Sequence, residues 1–542
     1  MAQLIYHGYR LTGMRHLLAV FLLVVFAAHA AAQSAPRPLW GDVFAGGEME
    51  NYLRYLQTLG VVPLYPWGLR AFSAPEIDRL TPVDTTHPWA SRLITDNRQP
   101  ITFSWLDPEV TARANTTFPY GFNDGPVWAG RGLTVSARAG FAARYGALSL
   151  TLAPVAFAAQ NASFSLMPNG ASGDLAYGDG VLSGSIDRPQ RFGDGRYARL
   201  DPGQSTLRVD WRGLAAGVTT ANQYWGPASE FPVILGNNAP GFPQVFVGTA
   251  RPVDLWLLRL HGRIIWARLS QSPYSAETAA DGVRYATGLA LSLTPRGVSG
   301  LEIGFTRFSH QPWPAGGPSL RDWFAMFRGG QGDQKNLGDV NQLASVFFRW
   351  VLPESGFEVY GEYGRDDYNQ NLRDFVLEPD HIGGYTIGFR KVVRRRDARL
   401  LAIRGEIQNL QFSHLAQGRG WSPFYTHSGV HQGHTQLGQV LGSEAGPGGG
   451  GSIIAVESYS PRGRWTWAWT RMLRQQRGDP AGASAPDPVG LDVQHALSVE
   501  RLAFRGRYDL LARVTAVYEF HRNFGDDAFN LNLIVGARIA AR

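Results

Sequence analysis

The sequence predicts an all-β transmembrane protein, an antiparallel β-barrel of about eighteen strands with a small N-terminal helical module. From about residue 107 to the end, apolar residues alternate with polar or small ones, as in the runs 133–141 and 529–539. The connections between these runs are alternately short and long, and many runs reach the ~10 residues that a tilted membrane strand needs. After the N-terminal region, no stretch approaches the ~18 consecutive apolar residues of a membrane helix.

A signal peptide is predicted at residues 1–32. Residues 14–15 form a short basic region, 17–28 an apolar core and 30–32 a small-residue cleavage site. The apolar core is shorter than the ~20 residues of a membrane-spanning helix, which favours a cleaved signal peptide. The alternative is a retained membrane anchor. Because the chain before it is unusual for a signal peptide, Met14 is an alternative start of translation.

The composition excludes several classes of protein and site. The chain has no cysteine, which excludes disulfide scaffolds, thiolate metal sites and cysteine nucleophiles. Removal of the signal peptide leaves 49 basic against 44 acidic residues, and this net charge of +5 is not typical of a nucleic-acid-binding protein. We also find no glycine-rich phosphate loop, no G-x-S-x-G nucleophile motif and no metalloprotease motif.

Residues 33–106 are predicted to form a periplasmic helical bundle that caps or plugs the barrel. The first helix is indicated by apolar residues at helical spacing and by Gly60 at the position of a C-terminal cap; the apolar residues are Met49, Tyr52, Leu53 and Leu56. Residues 73–76 match a capping box that opens a second helix. Residues 87–89 begin a third helix, with Leu93 and Ile94 beneath it. The bundle has too few apolar residues to fold alone, so we expect it to pack on the barrel.

Residues 107–542 are predicted to form the barrel, with one face of each strand against lipid. Trp465, Trp467 and Trp469 share one face of a run; together they would be costly in water but favourable at a lipid interface. Tight turns are predicted at 144–147, 212–214, 261–263, 295–300, 353–356, 391–399, 461–464 and 501–507, with long loops between them.

The number of strands follows from the alternation of short and long connections. Seventeen strands are predicted after residue 131, and residues 109–116 supply the additional strand that an even number requires. Eighteen strands place both termini and the short turns in the periplasm, and the long loops outside the cell.

The segment 222–243 is the strongest candidate for a binding surface, and strand parity places it outside the cell. It is too rich in proline and glycine for a helix or a long strand. It offers aromatic faces beside neutral amides, which suit the C–H patches and hydroxyls of sugars. We predict that the segment binds glycan or organises the loop that does; the candidates are Tyr224, Trp225, Asn237, Asn238 and Phe242. The alternative is that it builds turns and packs its own aromatic residues over the lumen.

Several segments spread over the mature chain form a common signature. They are MENYLRYLQTLGVV, PLYPWGL, GPVWAGRG, APVAFAAQN, NQYWGPASEFPVILGNNAPGFP and FYTHSGVHQGHTQLGQVLGSEAGPG. These segments resemble the Wzi capsule-assembly family of outer-membrane lectins. The resemblance implies an eighteen-stranded barrel with a periplasmic helical bundle, and a role in holding capsular polysaccharide on the cell surface. The chain departs from the usual pattern of barrel proteins by ending in Ala540-Ala541-Arg542 rather than in an aromatic residue.

Two further patterns suggest chemistry but have simpler interpretations. His427, His431 and His434 have a spacing that can bind zinc, yet no carboxylate or cysteine is placed to complete the site, and no metal is predicted. Glu358 and Glu362 invite comparison with glycosidases, but they are ~13 Å apart along a strand, wider than the ~5–9.5 Å of that chemistry. These carboxylates are instead expected to point into the lumen and pair with charges on neighbouring strands.

The sequence therefore predicts a non-catalytic, lectin-like protein of the bacterial outer membrane that attaches or organises exported polysaccharide. The expected partners are capsular or extracellular polysaccharide, outer-membrane lipids and the polysaccharide export machinery; no nucleic acid and no cofactor is expected. A sugar-selective porin is the first alternative. An outer-membrane enzyme acting on glycan or lipid is the second.

Overall fold

The computed structural model describes most of the chain after the predicted signal peptide. The described residues are 43–70, 72–80, 82, 86–93, 101–277, 282–327, 340–366, 372–377, 379–411, 423–476 and 490–539. The predicted signal peptide, Ile94 and the chain end at 540–542 lie outside them.

Short helices precede the barrel and also occur in the loops between its strands. The α-helices are α1 (Glu48–Thr58), α2 (Ala74–Leu80), α3 (Ala90–Leu93), α4 (Leu320–Trp323) and α5 (Leu372–Leu377). Short 3₁₀ helices lie at Gly173–Tyr177, Ala325–Phe327, Pro353–Ser355 and Arg522–Phe524. None of the helices in the described residues is long and apolar enough to cross a bilayer.

Helices α1 to α3 lie where the sequence predicts them. Gly60, just beyond α1, has a φ of +69°, a conformation that favours glycine after a helix. Before α2, the Ser73 backbone N–H donates to the Glu76 carboxylate at 2.8 Å. The Ser73 hydroxyl donates to the same carboxylate instead of accepting from the helix, so only half of the predicted capping box forms.

The described residues form eighteen antiparallel strands that close into a barrel, and the predicted fold class is confirmed. Strands β1 to β4 and β6 each have two segments. In order, β1 to β18 are Ile101–Trp105 with Glu109–Asn115, Gly132–Arg138 with Phe141–Tyr145, Leu148–Leu152 with Val155–Ala159, Tyr197–Asp201 with Thr206–Trp211, Leu214–Thr219, Gln244–Thr249 with Val253–Asp254, Leu258–Ser270, Val283–Pro295, Leu301–Pro312, Asn341–Leu352, Phe357–Asp366, Gly383–Arg395, Arg399–Asn409, Gly450–Ser460, Gly463–Gln476, Leu491–Arg505, Tyr508–Phe520 and Ala528–Ile539. The barrel closes between β18 and β1, where Asn532 lies opposite Asn115.

The first strand begins before the boundary at 106/107 that the sequence suggests. Ile101–Trp105 pairs with Phe141–Tyr145, and Glu109–Asn115 continues the same strand after a one-residue change of register. The partner strand β2 is interrupted at Gly140, where a Cβ atom would lie 1.7 Å from the carbonyl oxygen of Leu152. This close approach requires glycine and explains why the strand is interrupted here although the alternating pattern continues.

One predicted turn is wrong. Residues 261–263 lie inside β7, and the turn before β7 is formed by residues 255–257. His261 and Arg263 face the lumen, where they contact Glu76 and Gln223. A glycine between two lumen-facing polar residues resembles a turn in sequence, whereas the actual turn consists of exposed apolar residues.

The two faces of the strands have the expected polarity. Trp465 and Trp467 are exposed on the outer wall, as a lipid-facing belt requires. The lumen-facing side chains of Glu358, Arg390 and Arg404 are buried. Neighbouring strands are connected alternately by short turns and by longer segments, so the barrel has a short-turn end and a long-loop end.

The helical module (residues 43–93) fills the lumen at the short-turn end. Tyr52 of α1 stacks on Trp89 with ring centroids 4.3 Å apart and also contacts Tyr459 of the wall. In α3, the Arg92 guanidinium donates to Asp509 at 2.8 Å, close to the turn between β16 and β17. The apolar residues of the module and the wall belong to one buried cluster, which explains how a module with so few apolar residues is stabilised.

Candidate functional site

The predicted binding segment folds back into the barrel. Residues 220–243, the first lumen loop, connect β5 and β6 from the long-loop end. Tyr224 and Trp225 pair with Leu69 and Arg70 of the helical module in a two-stranded sheet. The loop and the module therefore meet inside the lumen, one entering from each end.

The five predicted site residues are interior rather than displayed on the surface. The exposed fraction is 1% for Tyr224, 0% for Trp225, 5% for Asn238 and 2% for Phe242. Asn237 is half-buried. In this conformation, none of the four buried side chains offers a face on which a sugar ring can stack.

Each of these side chains is held by the protein itself. The Tyr224 hydroxyl donates to the Ser229 carbonyl at 2.7 Å, and the Arg70 guanidinium lies 3.8 Å from the centre of the Tyr224 ring. Burial raises the pKa of Tyr224 well above its usual value, so its hydroxyl remains a donor.

The two asparagines connect the first lumen loop to other segments. Asn238 Nδ2 donates to the Val440 carbonyl at 3.2 Å and to the Glu444 carboxylate at 3.1 Å. Asn237 donates to the carbonyl of Ala45 in the helical module. Their contacts fit the loop-organising role among the sequence-based alternatives, and that role stays a proposal.

A carboxylate of the wall holds the middle of the first lumen loop. Glu406 on β13 accepts the backbone N–H groups of Ser229, Glu230 and Phe231 at 2.6, 3.0 and 2.6 Å. It also accepts the Tyr360 hydroxyl at 2.6 Å. Buried backbone N–H groups need such partners, and a lumen-facing acidic residue supplies them here.

The predicted pairing of lumen charges across strands is confirmed for Glu358 on β11. Its carboxylate lies 2.7 Å from Arg349 Nη2 on β10 and directly opposite Arg390 on β12. Arg54 of α1 completes the cluster, with Nε 2.9 Å from the same carboxylate. Burial lowers the pKa of Arg54 to about 10, which leaves the guanidinium charged at neutral pH. The contribution of Arg54 could not be predicted locally, because it lies 304 residues from Glu358.

A second segment of the chain covers the first lumen loop. Residues 423–449, the second lumen loop, precede β14 and pack on the first lumen loop in one buried cluster with the wall. The Tyr425 hydroxyl donates to the Val233 carbonyl at 2.6 Å. Nε2 of His434 lies 2.7 Å from the Ile234 carbonyl. Together the two loops fill the half of the lumen that the helical module leaves.

The three histidines of the second lumen loop point to different partners. His427 Nδ1 accepts the backbone N–H groups of Gly429 and Val430, and His431 pairs with Glu277 at 2.5 Å. His434 is buried, and burial lowers its pKa to about 4. Among the residues that the structure describes, no group of three histidine or acidic side chains lies close enough together to hold a metal ion.

A half-exposed aromatic surface lies near the long-loop end, where the loops before β2, β4 and β8 meet. Tyr197 stacks on Phe192 with ring centroids 4.5 Å apart, and Trp128 and Tyr274 flank Phe192 at 5.0 and 5.9 Å. Tyr177 contacts Tyr274 at 5.5 Å. Sequence reasoning missed this outer aromatic surface, because its rings come from four separate segments of the chain.

Charged groups border the outer aromatic surface. The Tyr177 hydroxyl hydrogen-bonds to the Asp194 carboxylate. Arg191 Nη1 lies 3.0 Å from Asp194, whose side chain is 85% exposed. The surface thus combines partly exposed rings with the accessible carboxylate of Asp194.

The family assignment rests on most of the chain. The family model described as capsule assembly protein Wzi matches residues 97–521. The chain belongs to this family. The matched residues contain strands β1 to β17 and both lumen loops, and the predicted family is confirmed. No curated protein matches this chain in sequence.

A solved structure supports the architecture. The structure of Wzi from Escherichia coli, described as an outer-membrane protein involved in group 1 capsule assembly and a carbohydrate-binding β-barrel, has a TM-score of 0.61 with 14% identity. The match covers 92% of this chain and 99% of that one. At this identity the similarity establishes the fold.

Two other solved structures are less similar. OccK5 of Pseudomonas aeruginosa has a TM-score of 0.36 with 12% identity, and covers 80% of this chain and 97% of its own. OccAB2 of Acinetobacter baumannii has a TM-score of 0.39 with 10% identity and the same coverages. TM-scores below 0.5 do not establish a shared fold.

Proposed function

We propose that this protein is a non-catalytic lectin of the bacterial outer membrane that holds exported polysaccharide on its long-loop surface. The proposal rests on the family and on one observation, that the lumen is filled by the protein's own segments. The helical module fills one end, and the two lumen loops fill the other. A polymer therefore meets a closed surface at the loops. The long loops face outward and the module faces the periplasm, as in other barrels of this type.

The outer aromatic surface is the proposed contact for glycan. Trp128, Tyr177, Tyr197 and Tyr274 are each half-buried, so part of every ring remains accessible. Sugar rings stack their C–H faces on such rings, while the exposed carboxylate of Asp194 accepts hydrogen bonds from hydroxyls. In this proposal, the five residues predicted from sequence support the surface from below and do not touch the polymer.

The rival functions fit the interior less well. A porin needs a continuous aqueous path, whereas Trp225 and Phe231 of the first lumen loop are completely buried in the barrel. An enzyme acting on glycan needs accessible carboxylates, whereas Glu358 is surrounded by three guanidinium groups. The arrangement of groups supports binding rather than catalysis.

Substitution of the ring faces tests the proposal. Tyr197→Ala and Tyr274→Ala should weaken binding of the purified host polysaccharide about tenfold or more, roughly 1.4 kcal/mol, measured by calorimetry with the folded protein. Tyr145→Ala is the matched control. It also removes an accessible tyrosine ring, but Tyr145 lies beside the short turn at 146–147, at the other end of the barrel. Unchanged affinity in both variants would contradict the proposed surface.

A deletion in the host tests the function independently of the surface. We expect loss of cell-bound polysaccharide and its release into the medium, restored by the intact gene. Normal retention of polysaccharide in the deletion strain would overturn the proposed function, even if the purified protein binds glycan.

A further inference from the structure

The outer wall of the barrel contains a polar patch on β8 and β9. Thr287 and Ser309 lie directly opposite each other in the sheet. They point away from the lumen, because the neighbouring Gly288 faces inward, where a Cβ atom would lie 2.5 Å from Trp225. Their exposed fractions are nevertheless only 1% and 3%, and neither hydroxyl has a hydrogen-bond partner among the described residues.

Residues 313–327, here called the strap, cover this patch. The strap leaves the end of β9 and folds down the outside of the barrel. The indole N–H of Trp266 on β7 donates to the Trp323 carbonyl at 2.9 Å, and Gln311 Nε2 donates to the Asp322 carboxylate at 3.3 Å. Met326 is buried beneath the strap, where its 3₁₀ turn packs on β8 and β9.

The strap has a defined local structure. Ser319 and Asp322 form a complete capping box at the start of α4, with the Asp322 carboxylate accepting the Ser319 backbone N–H at 2.8 Å. A capping box fixes the entry of the chain into a helix, so the side that meets the barrel is specified.

Large apolar side chains of the strap are exposed. Leu320 is 77% exposed, Phe324 51% and Phe327 57%. Exposed to water, such a contiguous patch would be costly and prone to association. It continues the apolar outer belt of the same wall, to which Ile303 and Val346 belong.

We propose that the strap lies in the outer leaflet of the membrane, with Leu320, Phe324 and Phe327 against lipid acyl chains. A polar patch facing lipid is unfavourable, because unpaired hydroxyls cannot find partners in hydrocarbon. The strap covers this patch and presents apolar and aromatic side chains in its place. Trp323 and Trp313 then lie near the boundary of the headgroups, where tryptophan is favoured. The strap anchors the barrel and sets its depth in the outer leaflet.

The absence of cysteine from the chain permits a direct test. Phe324→Cys and Leu320→Cys are each labelled with an environment-sensitive fluorophore, and the protein is reconstituted in vesicles that contain nitroxide-labelled phospholipid. Leu497→Cys, on the exposed outer wall of β16, reports lipid contact, and Leu175→Cys, on a long-loop 3₁₀ helix, reports water.

Quenching at positions 320 and 324 should equal that at 497 and exceed that at 175 several-fold. Quenching no greater than at position 175 would overturn the proposal. A blue-shifted emission without lipid quenching would also overturn it, since a second copy of the chain or another protein would then cover the strap. All four substitutions are at exposed positions, and the heat-dependent gel mobility of each variant shows whether the barrel is folded.

Discussion

Glu358 is the residue at which the helical module and the barrel wall converge. Its carboxylate is shared by Arg54 of α1, Arg349 of β10 and Arg390 of β12, and all four side chains are buried. Removal of one partner from a buried ionic cluster leaves the other charges uncompensated, which costs more than the cluster contributes to stability.

We expect Glu358→Gln to destabilise the protein by about 3–5 kcal/mol, because three buried guanidinium groups lose their shared counter-charge. The measurement is the free energy of unfolding from urea titration in detergent micelles. Glu354→Gln makes the same chemical change in the exposed turn between β10 and β11, and it should alter stability by less than about 0.5 kcal/mol. Equal effects of the two substitutions would contradict this assignment.

His434 should make the packing of the second lumen loop sensitive to acid. Burial lowers its folded-state pKa to about 4, from an ordinary value of 6.5. The imidazole is then neutral in the folded state and takes up a proton more readily when the loop opens. Its contribution to stability is complete above pH 6.5 and is lost as pH falls through 4, on the order of 3 kcal/mol in total.

Hydrogen exchange in residues 423–449, corrected for the intrinsic rate at each pH, measures this effect. Protection should fall between pH 6.5 and pH 4 in the wild-type protein, and much less in His434→Gln, which keeps a donor for the Ile234 carbonyl. The same substitution at half-exposed His431 is the control and should leave the wild-type profile in place. A wild-type profile without pH dependence would contradict the role of His434.

At the scale of elements, the first lumen loop and strand β8 fit closely. Gly288 faces the loop, and an added Cβ would lie 2.5 Å from Trp225, 3.0 Å from Ile265 and 3.1 Å from Phe308. These neighbours are buried side chains in one cluster, and none can move into open space.

Gly288→Ala should therefore displace Trp225 and destabilise the first lumen loop by about 1–3 kcal/mol, the usual cost of overpacking. Hydrogen exchange across 222–243 should increase, while the strands away from β8 remain protected. Gly297→Ala in the turn before β9 is the control, since an added Cβ there meets nothing within 4 Å. Exchange that increases equally in both variants would refute the close fit.

An element can be predicted from the sequence when the residues that specify it lie within one short stretch of the chain. Helix α1 is predictable because its apolar residues repeat at helical spacing and Gly60 ends the pattern. The turn before β7 is not, because the apolar residues 255–257 carry no turn signal, whereas 261–263 imitates one. The outer aromatic surface is assembled from distant segments, so no spacing within the sequence indicates it.

At the scale of the whole molecule, the lumen is closed from its two ends by two bodies, the helical module and the lumen loops, which meet inside it. The helical module contacts the wall at the short-turn end, and the first lumen loop meets the module through the pairing of Leu69 with Trp225. Each body has its own buried cluster against the wall. We therefore expect that removal of either one leaves the other in place.

In planar bilayers we expect no steady channels from the intact protein. Deletion of the helical module, or replacement of 223–242 by a short glycine-serine linker, should each leave the lumen closed, and the two changes together should open it. Heat-dependent gel mobility serves as the control for a folded barrel in every variant. Steady conductance of the intact protein would count against both the closed lumen and the proposed lectin.

By itself, the sequence determined the class, the strand number and the family of this protein. These properties depend on short-range patterns: alternation every two residues arises because each strand faces lipid on one side and the lumen on the other. Connection lengths then give the direction of each strand. Only the tertiary structure decided that 222–243 turns inward, because that depends on partners such as Glu406 and Arg70, which lie far away in the chain. Composition showed which groups the segment offers, but its partners inside the barrel determine which of them remain accessible.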